Sequence, residues 1–450
     1  MKSTLRITIL QAGYWALLLL LSQGLQAQKE KKVLFVIVDG IAADVIEKLP
    51  MPHLDKMAAK GGYARAYVGG EKGGYSQTPT ISAVGYNSLL TGTWVHKHNV
   101  WDNHIKAPNY QYWSIFRFFS EQYPHKKTAV FSRWLGNRTR PAGAGPATTG
   151  PLPLTPPYAA LAPDTVQFPH DADKYYMHRI DEAVVNHASA YIKSEAPHLS
   201  WVYLEYTDDM GHRYGDGPEF YKAVELMDKQ MDRLWAAINY RQKHFKEDWA
   251  VFITTDHGRD AATGKNHGGQ SDRERSTWIV TNTSRINSHF KSGQAAIVDI
   301  FPAMARHLDI AIPRHQRMEL DGISITGRVA ARQPAATYQN GKIKLSWQAL
   351  RKAGTIKVWL STTNNFKEGG QDAYVLVATL PLQAQQGVID VSQYPSRFYK
   401  VVLETPDNFL NRWVLLPKIL PACIFLATAC TSPNTRSRLS PHSLFICFLV

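Results

Sequence analysis

Residues 75–103 read YSQTPTISAVGYNSLLTGTWVHKHNVWDN, a polar segment broken by proline and followed by an apolar run. The part at 76–80 contains Pro79 and cannot lie inside a helix, whereas 82–90 is free of proline and is expected to be helical. Ser82 is therefore predicted to lie at a helix N-terminus, where free backbone N–H groups and the helix dipole favour an anion. A serine before an apolar run is most often a plain N-cap, so its role as a nucleophile depends on other parts of the chain.

The composition indicates a globular protein. The chain has 450 residues, 44% hydrophobic and 20% charged, which suits one large domain and a smaller one. The net charge of +14 gives a mild bias toward anionic substrates. No run of Lys and Arg concentrates this charge, so specific nucleic-acid binding is not expected. The 3 cysteines all follow residue 420, so the folded body has neither disulfides nor thiolate chemistry.

The N-terminus is typical of a secretory signal peptide. Two basic residues, Lys2 and Arg6, precede an apolar run at 15–21, and LQA at 25–27 resembles a cleavage site. The apolar run is far shorter than the roughly 20 residues that span a bilayer, so no stable membrane anchor is predicted. We therefore predict a signal peptide over 1–27 and a periplasmic or secreted mature protein.

Three buried strands are predicted, and each one leads to a carboxylate. VLFVIV at 33–38 leads to Asp39, SWVYLEY at 200–206 to Asp208, and WAVFITT at 249–255 to Asp256. Continuous apolar, β-branched runs are typical of strands in a parallel sheet with helices on both faces. Such sheets hold their ligands at the carboxyl ends of the strands, so chemistry is expected at that edge.

Candidate metal ligands follow the same strands. The set comprises three carboxylates and three imidazoles: Asp39, Asp208, His212, Asp256, His257 and His267. These donors are the ones expected for Zn²⁺ or a similar divalent ion. Asp208 and His212 are four residues apart, so a turn can direct both at one ion. Gly258 allows the chain to break so that Asp256 and His257 can both approach a metal. Each pair alone is more often a helix cap or an ordinary turn, and the combination is what predicts a metal centre.

Taken together, these motifs resemble the alkaline phosphatase superfamily, and most closely its type I phosphodiesterase/nucleotide pyrophosphatase branch. The family motif P-T-x-T matches PTIS at 79–82, which places Ser82 at the nucleophile. Asn103 matches the asparagine that binds a phosphoryl oxygen. The resemblance covers 33–327. It implies an alkaline phosphatase-like α/β domain over 28–330, with a mostly parallel central sheet and helices on both faces.

The resemblance also implies two divalent metal ions, with Zn²⁺ as the expected identity. One ion would be held by Asp39, Ser82, Asp256 and His257, and the other by Asp208, His212 and His267. Ser82 would attack phosphorus and form a covalent phosphoserine, and Asn103 would bind charge on an equatorial oxygen.

The chain departs from the family pattern in several places. Residues 83–86 read AVGY instead of F-P-N-H, which alters the nucleotide pocket, and Thr80 remains an alternative nucleophile. His267 follows the D-H-G motif sooner than in nucleotide pyrophosphatases, an arrangement similar to that of other superfamily phosphatases. Three basic residues could favour a dianionic monoester but have no predicted location: Arg133, Arg138 and Arg259.

The remaining segments differ in character. Short alternating strands at 336–416 resemble a fibronectin type III β-sandwich with Trp347 and Tyr399 in its core. A packing accessory is favoured over a carbohydrate-binding module. The Pro- and Gly-rich stretch near 138–169 is predicted to be a long loop or cap. The tail at 417–450 is atypical and is predicted to be disordered.

The sequence thus predicts an exported, two-metal hydrolase of a small phosphoric ester. Phosphodiesters or nucleotide pyrophosphates are the favoured substrates, and phosphomonoesters are the runner-up. The competing hypothesis is a non-catalytic binding protein that metals stabilise. The natural substrate, the metal used in the cell and the oligomeric state are left open.

Overall fold

The computed structural model describes residues 29–133, 154–158 and 164–417. The predicted signal peptide and nearly all of the atypical tail lie outside the described residues, as does most of the Pro- and Gly-rich stretch. None of the described helices is both long enough and apolar enough to cross a bilayer.

One large sheet dominates the described residues. It contains eight strands: β1 (Glu30–Val38), β2 (Gly62–Tyr67), β3 (Thr128–Phe131), β4 (Leu154–Tyr158), β5 (Leu199–Leu204), β6 (Glu247–Thr254), β7 (Ser276–Thr281) and β8 (Ala295–Ala296). Their spatial order is β4-β3-β5-β1-β6-β7-β2-β8. All neighbours are parallel except β7, which runs antiparallel to β6 and β2. The predicted mostly parallel sheet is confirmed.

Helices pack on both faces of this sheet. They are α1 (Ala43–Lys48), α2 (Pro52–Ala58), α3 (Ser82–Thr91), α4 (Val95–His98), α5 (Ile115–Gln122), α6 (Tyr175–Glu195), α7 (Tyr206–Tyr214), α8 (Pro218–His244), α9 (Ser288–Lys291), α10 (Ile300–His307) and α11 (Arg314–Arg317). Successive residues of β1 enter two different hydrophobic clusters, with Phe35 in one and Val36 in the other. Because side chains of a strand alternate between faces, this strand is buried on both, as its unbroken apolar run predicts.

Strand β4 lies within the stretch for which a long loop or cap was expected. Its sequence LTPPY contains Pro156 and Pro157, which argue against a strand in the middle of a sheet. Prolines are tolerated at a sheet edge, and β4 is the terminal strand beside β3. Composition alone therefore does not reveal this element.

The C-terminal part forms two antiparallel sheets. Their strands are β9 (Ala331–Gln339), β10 (Lys342–Ala349), β11 (Thr355–Ser361), β12 (Val375–Pro381), β13 (Gln386–Asp390), β14 (Phe398–Glu404) and β15 (Phe409–Leu415). One sheet has the order β13-β10-β9 and the other β12-β11-β14-β15. Trp347 and Tyr399 are buried, as predicted for core aromatics. The first strand begins at Ala331, shortly before the expected boundary at 336.

Buried lysines join these sheets to the α/β part. Lys97 Nζ lies 2.6 Å from Asp321 Oδ1 and 3.0 Å from Asn411 Oδ1 in β15. Lys400 Nζ, in β14, lies 2.8 Å from Glu319 Oε1. Both lysine side chains are at most 2% exposed, and the Lys97–Asn411 hydrogen bond and the Lys400–Glu319 ion pair depend on contact between the two parts. The described residues up to the end of β15 form one compact unit.

Candidate active site

A small cavity lies at the carboxyl ends of the central strands. Its volume is about 90 Å³, and it is lined by Asp39, Ser82, Tyr86, Asn103, Tyr203, Glu205, Asp208, His212 and His267. Six of the eight site residues predicted from the sequence are among them. The other two, Asp256 and His257, are fully buried.

The parallel sheet brings the three predicted carboxylates together. Asp39 follows β1 directly, and its backbone N–H donates to the carbonyl of Leu204 at the end of β5 (2.9 Å). Asp256 comes just after β6, and Asp208 lies in the first turn of α7, which begins directly after β5. Since β5 and β6 flank β1 in the sheet, the three strand ends meet at one edge.

Asp39, Ser82, Asp256 and His257 form what we call the buried half-site. The imidazole Nε2 of His257 lies 3.1 Å from Asp39 Oδ1 and 3.9 Å from Asp256 Oδ1. Ser82 Oγ lies 3.2 Å from the same Nε2 and 3.5 Å from Asp39 Oδ1. The side chains of Asp39, Asp256 and His257 are at most 2% exposed. These residues therefore converge as predicted.

Asp208, His212 and His267 form the open half-site. His212 Nε2 lies 3.1 Å from Asp208 Oδ2, and His267 Nε2 lies 3.9 Å from Asp208 Oδ1. The two imidazole Nε2 atoms are 3.1 Å apart. His267 also stacks on His257, with ring centroids 3.7 Å apart, so it belongs to the site although it departs from the family spacing.

The arrangement of protons and lone pairs fits metal binding. His257 Nδ1 lies 2.9 Å from the carbonyl of Gly258, and His267 Nδ1 lies 2.9 Å from the carbonyl of Thr80. A carbonyl only accepts, so each Nδ1 carries a proton, and Nε2 is the ring nitrogen that a cation can bind once any proton on it has left. In addition, the buried Asp256 Oδ2 has no hydrogen-bond partner. Asp39, Asp256 and His257 form one potential metal-ligand cluster, and Asp208, His257 and His267 form a second.

Ser82 is the first residue of α3, as the sequence predicts. The helix reaches the metal-ligand cluster because Gly85 has no side chain. A Cβ at this position would come within 2.4 Å of the carbonyl oxygen of Asp256. The replacement of the family's F-P-N-H by AVGY thus lets the helix pack directly on the end of β6.

The hydroxyl of Thr80, the alternative nucleophile, is already engaged. It donates to the carbonyl of Gly269 and accepts from the backbone N–H of Gly268, both at 2.9 Å. Thr80 is fully buried and does not line the cavity. Its contacts instead fix the loop that carries His267, and the geometry favours Ser82 as the nucleophile.

Asn103 is held against the N-terminus of α3. Its Oδ1 accepts a hydrogen bond from the backbone N–H of Ala83 at 2.9 Å. The amide Nδ2 remains as a donor at the cavity, which is the group that a phosphoryl oxygen requires.

Tyr86, Tyr203 and Glu205 line the cavity but were not among the predicted site residues, and Arg259 had been named without a location. Tyr203 donates from its hydroxyl to Asp39 Oδ2, and Glu205 forms a bidentate ion pair with Arg133. Arg259 is fully buried, and its Nη1 lies 2.5 Å from Asp208 Oδ1. Tyr203 and Glu205 are two positions apart at the end of β5, so the alternation of a strand was the available signal. Arg138 lies outside the described residues.

The pKa values of the ligands are strongly shifted by burial and by one another. For His257, burial opposes the charge, but Asp256 and Asp39 prevail and raise the pKa to about 9. Burial, together with the nearby His257, lowers the pKa of His267 to about 4. Burial also raises the pKa of Asp256 above its ordinary value, and Asp39 adds to this effect. Without a cation, the buried half-site therefore retains a proton.

Comparisons with known proteins match most of the chain to one family. The family model for type I phosphodiesterase/nucleotide pyrophosphatase matches residues 33–319. A curated relative, the 2,3-bisphosphoglycerate-independent phosphoglycerate mutase of Mycoplasmopsis pulmonis (strain UAB CTIP), is 32% identical over 104 residues. That match covers 23% of this chain and 19% of the relative, so the chain spans about a fifth of the relative's length.

Solved structures with a similar fold include two enzymes. Murine ectonucleotide pyrophosphatase/phosphodiesterase 5 is 14% identical, with a TM-score of 0.42, over 63% of this chain and 96% of that one. A 2-O GAG sulfatase is 12% identical, with a TM-score of 0.45, over 81% of this chain and 86% of that one. The match to the family model covers more than half of the sequence. The chain belongs to the type I phosphodiesterase/nucleotide pyrophosphatase family.

Proposed function

We propose that this protein hydrolyses phosphoric esters, with phosphodiesters or nucleotide pyrophosphates as its substrates and Ser82 as its nucleophile. The observation that carries the proposal is the position of Ser82 Oγ, 3.2 Å from His257 Nε2 and 3.5 Å from Asp39 Oδ1 at the start of α3. A serine that acts only as a helix cap would not need to lie beside a buried aspartate and histidine.

The residues of the site suggest a two-step displacement. Ser82 Oγ attacks phosphorus, the bond from phosphorus to the leaving alkoxide breaks, and a phosphoserine forms. Asn103 Nδ2 and the N-terminus of α3 donate to the equatorial oxygens, on which charge accumulates in the transition state. The phosphoserine keeps the second ester group of the substrate. Water then attacks its phosphorus, which releases a phosphomonoester and returns a proton and the hydroxyl to Ser82.

We propose that Asp39, Ser82, Asp256 and His257 hold one divalent ion and that Asp208, His212 and His267 hold another, both Zn²⁺. When bound, such ions lower the pKa of the nucleophile and stabilise charge on the attacking and leaving oxygens. Support comes from the donor types, from the two histidines whose Nδ1 atoms donate to carbonyls and whose Nε2 atoms face the site, and from the unpartnered Asp256 Oδ2.

We further propose that the protein is exported to the periplasm or the medium. The support is the N-terminal sequence, in which basic residues precede a short apolar run and LQA at 25–27.

The direct test compares turnover of three p-nitrophenyl substrates by the metal-loaded protein. These are bis-p-nitrophenyl phosphate, p-nitrophenyl phosphate and p-nitrophenyl sulfate, with metal content measured on the same sample. We expect about two ions per chain and fastest turnover of the diester. Faster turnover of the monoester would favour a phosphomonoesterase. Bound metal without turnover of any ester would favour the non-catalytic binding protein.

A further inference from the structure

Glu205 places an additional carboxylate at the cavity. It lies directly after β5 and lines the cavity together with Ser82, Asp39 and Asp208. Its side chain is 16% exposed. None of the residues described as lining this cavity is Lys or Arg, so the wall of the cavity is acidic.

Arg133 neutralises Glu205. The guanidinium is 14% exposed, and its Nε and Nη2 groups donate to the two carboxylate oxygens of Glu205. Its third group, Nη1, lies 3.0 Å from the sulfur of Met177. These two parallel N–H groups could otherwise donate to the oxygens of a phosphoryl group, but they are bonded to Glu205.

The position of this ion pair is fixed by the surrounding fold. The buried carboxylate of Asp181 accepts from the backbone N–H of Glu205 (3.1 Å) and from that of Tyr206 (2.9 Å). On the other side, Arg133 follows β3, which is paired with β5 in parallel. Both partners follow neighbouring strands of the sheet. The fold therefore fixes the position of this ion pair, unlike that of a pair between surface side chains.

The charge of the substrate decides what this pair does. At pH 9 a phosphodiester carries one negative charge, whereas a phosphomonoester carries two, because its second pKa is about 6. Burial raises the pKa of Glu205 to about 8 although Arg133 opposes this shift, so Glu205 is also ionised at pH 9. A dianion would gain from a free guanidinium at the cavity and would be repelled by a carboxylate there. Because Arg133 is paired with Glu205, its guanidinium does not stabilise the second negative charge of a monoester.

We propose that the Glu205–Arg133 ion pair makes the site select monoanionic phosphodiesters over dianionic phosphomonoesters. Glu205 acts by withholding the guanidinium of Arg133 from the second charge of a monoester. This inference rests on the proposed function, since it names the substrate class that the same site prefers.

The test measures kcat/KM at pH 9 for p-nitrophenyl phosphate and for bis-p-nitrophenyl phosphate. Glu205→Gln removes the carboxylate that engages Arg133, and we expect the monoester-to-diester ratio to rise about tenfold or more. Arg133→Met removes the guanidinium itself, so the ratio should not rise above that of the wild type. Arg133→Lys keeps the charge and should stay near the wild-type ratio. The double variant Glu205→Gln/Arg133→Met should not show the rise in the monoester-to-diester ratio that is expected in Glu205→Gln, because that rise requires the guanidinium.

A matched control is Glu247→Gln, which breaks another buried ion pair. Glu247 pairs with Arg241 at 2.5 Å, and both side chains are at most 10% exposed. It lies at the amino end of β6, about 25 Å from the cavity end of that eight-residue strand. This variant should change thermal stability and leave the ratio unchanged. Equal loss of both activities in Glu205→Gln, or a ratio that does not move, would overturn the proposal.

A binding measurement keeps this proposal separate from the proposed function. The affinity of inorganic phosphate for each metal-loaded variant is measured by calorimetry, which does not require turnover. We expect the tightest binding in Glu205→Gln, ahead of both the wild type and Arg133→Met, because this variant alone keeps the guanidinium and lacks the carboxylate. If the wild type turns over neither ester, the proposed function fails, and this order still decides whether the pair discriminates dianions. An affinity that is the same in all three proteins would refute the pair's role.

Discussion

The two half-sites share one cavity but differ in their access to solvent. In the buried half-site, the side chains of Asp39, Asp256 and His257 are at most 2% exposed. In the open half-site, His212 is 45% exposed and Asp208 is 12% exposed. The first group is built at strand ends inside the sheet, and the second on a short helix and a loop at its edge. This difference fits the proposed function. The nucleophile would be activated in the buried half-site, where water is excluded, and water would enter and product leave through the open half-site.

The largest expected effect comes from removing the nucleophile of the buried half-site. Ser82→Ala should reduce diester turnover by about 10⁴-fold or more, because no other hydroxyl described at the cavity lies as close to His257. The measurement is kcat at saturating metal. Metal content and melting temperature serve as controls and should change little.

Full activity in Ser82→Ala would contradict the assignment. Thr80→Val would then be the next variant to measure. Its hydroxyl holds the backbone of Gly268 and Gly269, so a moderate loss is expected there for structural reasons alone.

The next largest effect separates the half-sites through their histidines. His257 belongs to both potential ligand clusters, whereas His212 contacts Asp208 alone among the carboxylates. We expect His257→Ala to lose most bound metal and about 10³-fold in turnover, and His212→Ala to lose metal from one half-site with a smaller loss of turnover. Metal content by mass spectrometry and kcat/KM are measured on the same samples. Equal losses in the two variants would remove the distinction drawn between the half-sites.

Most of the candidate metal ligands could be named from the sequence, because they follow predicted buried strands. Asp39 follows an unbroken apolar run, and such runs end at the ligand-bearing edge of a parallel sheet. His267 has no comparable neighbour pattern and was assigned through the resemblance to the superfamily. The structure places it against His257, with the ring centroids 3.7 Å apart.

The supporting residues could not be predicted, because their contacts depend on strand register. Arg133 meets Glu205 because β3 and β5 pair with Phe131 opposite Val202. No local pattern in either segment encodes that alignment. Arg259 likewise contacts Asp208 only through the loop that folds back after β6.

A smaller effect is expected from Arg259, which supports the open half-site. Its guanidinium binds Asp208 Oδ1 at 2.5 Å and the carbonyl of Gly264 at 2.5 Å, so it leaves Asp208 Oδ2 facing His212. Arg259→Met should weaken metal binding at this half-site by about 10- to 100-fold, since it removes the contact that orients a ligand. Titration with a chelator measures the change.

Arg259→Lys tests whether charge alone is sufficient. A lysine keeps the positive charge but not the planar fork, so it should restore only part of the affinity. If Arg259→Met bound metal as tightly as the wild type, Arg259 would serve packing only, and the open half-site would not depend on the loop after β6.

The smallest effect is the response of the metal-free protein to pH, which depends on the buried half-site. Burial opposes a charge on His257, but Asp256 and Asp39 raise its pKa to about 9, above the value of about 6.5 in an unfolded chain. A raised pKa means that the folded protein binds the proton more tightly. The contribution to stability is therefore fully present below about pH 6.5 and is lost as the pH rises to about 9. The expected fall in the free energy of unfolding is about 1–3 kcal/mol.

Urea unfolding after treatment with EDTA, at several pH values between 6 and 9.5, measures this fall. His267 does not interfere, because its pKa is lowered to about 4 and its titration lies below this range. The hydrogen bond to Asp208 raises the pKa of His212 above its ordinary value, so the measurement is made in a His212→Gln background to remove that second titration. His257→Gln should flatten the curve, since glutamine does not titrate and still offers a hydrogen-bond donor to Asp39. A wild-type curve that is flat from pH 6.5 to 9 would mean that the carboxylates do not hold a proton on His257. The two half-sites would then differ only in the solvent exposure of their side chains and not in whether they retain a proton.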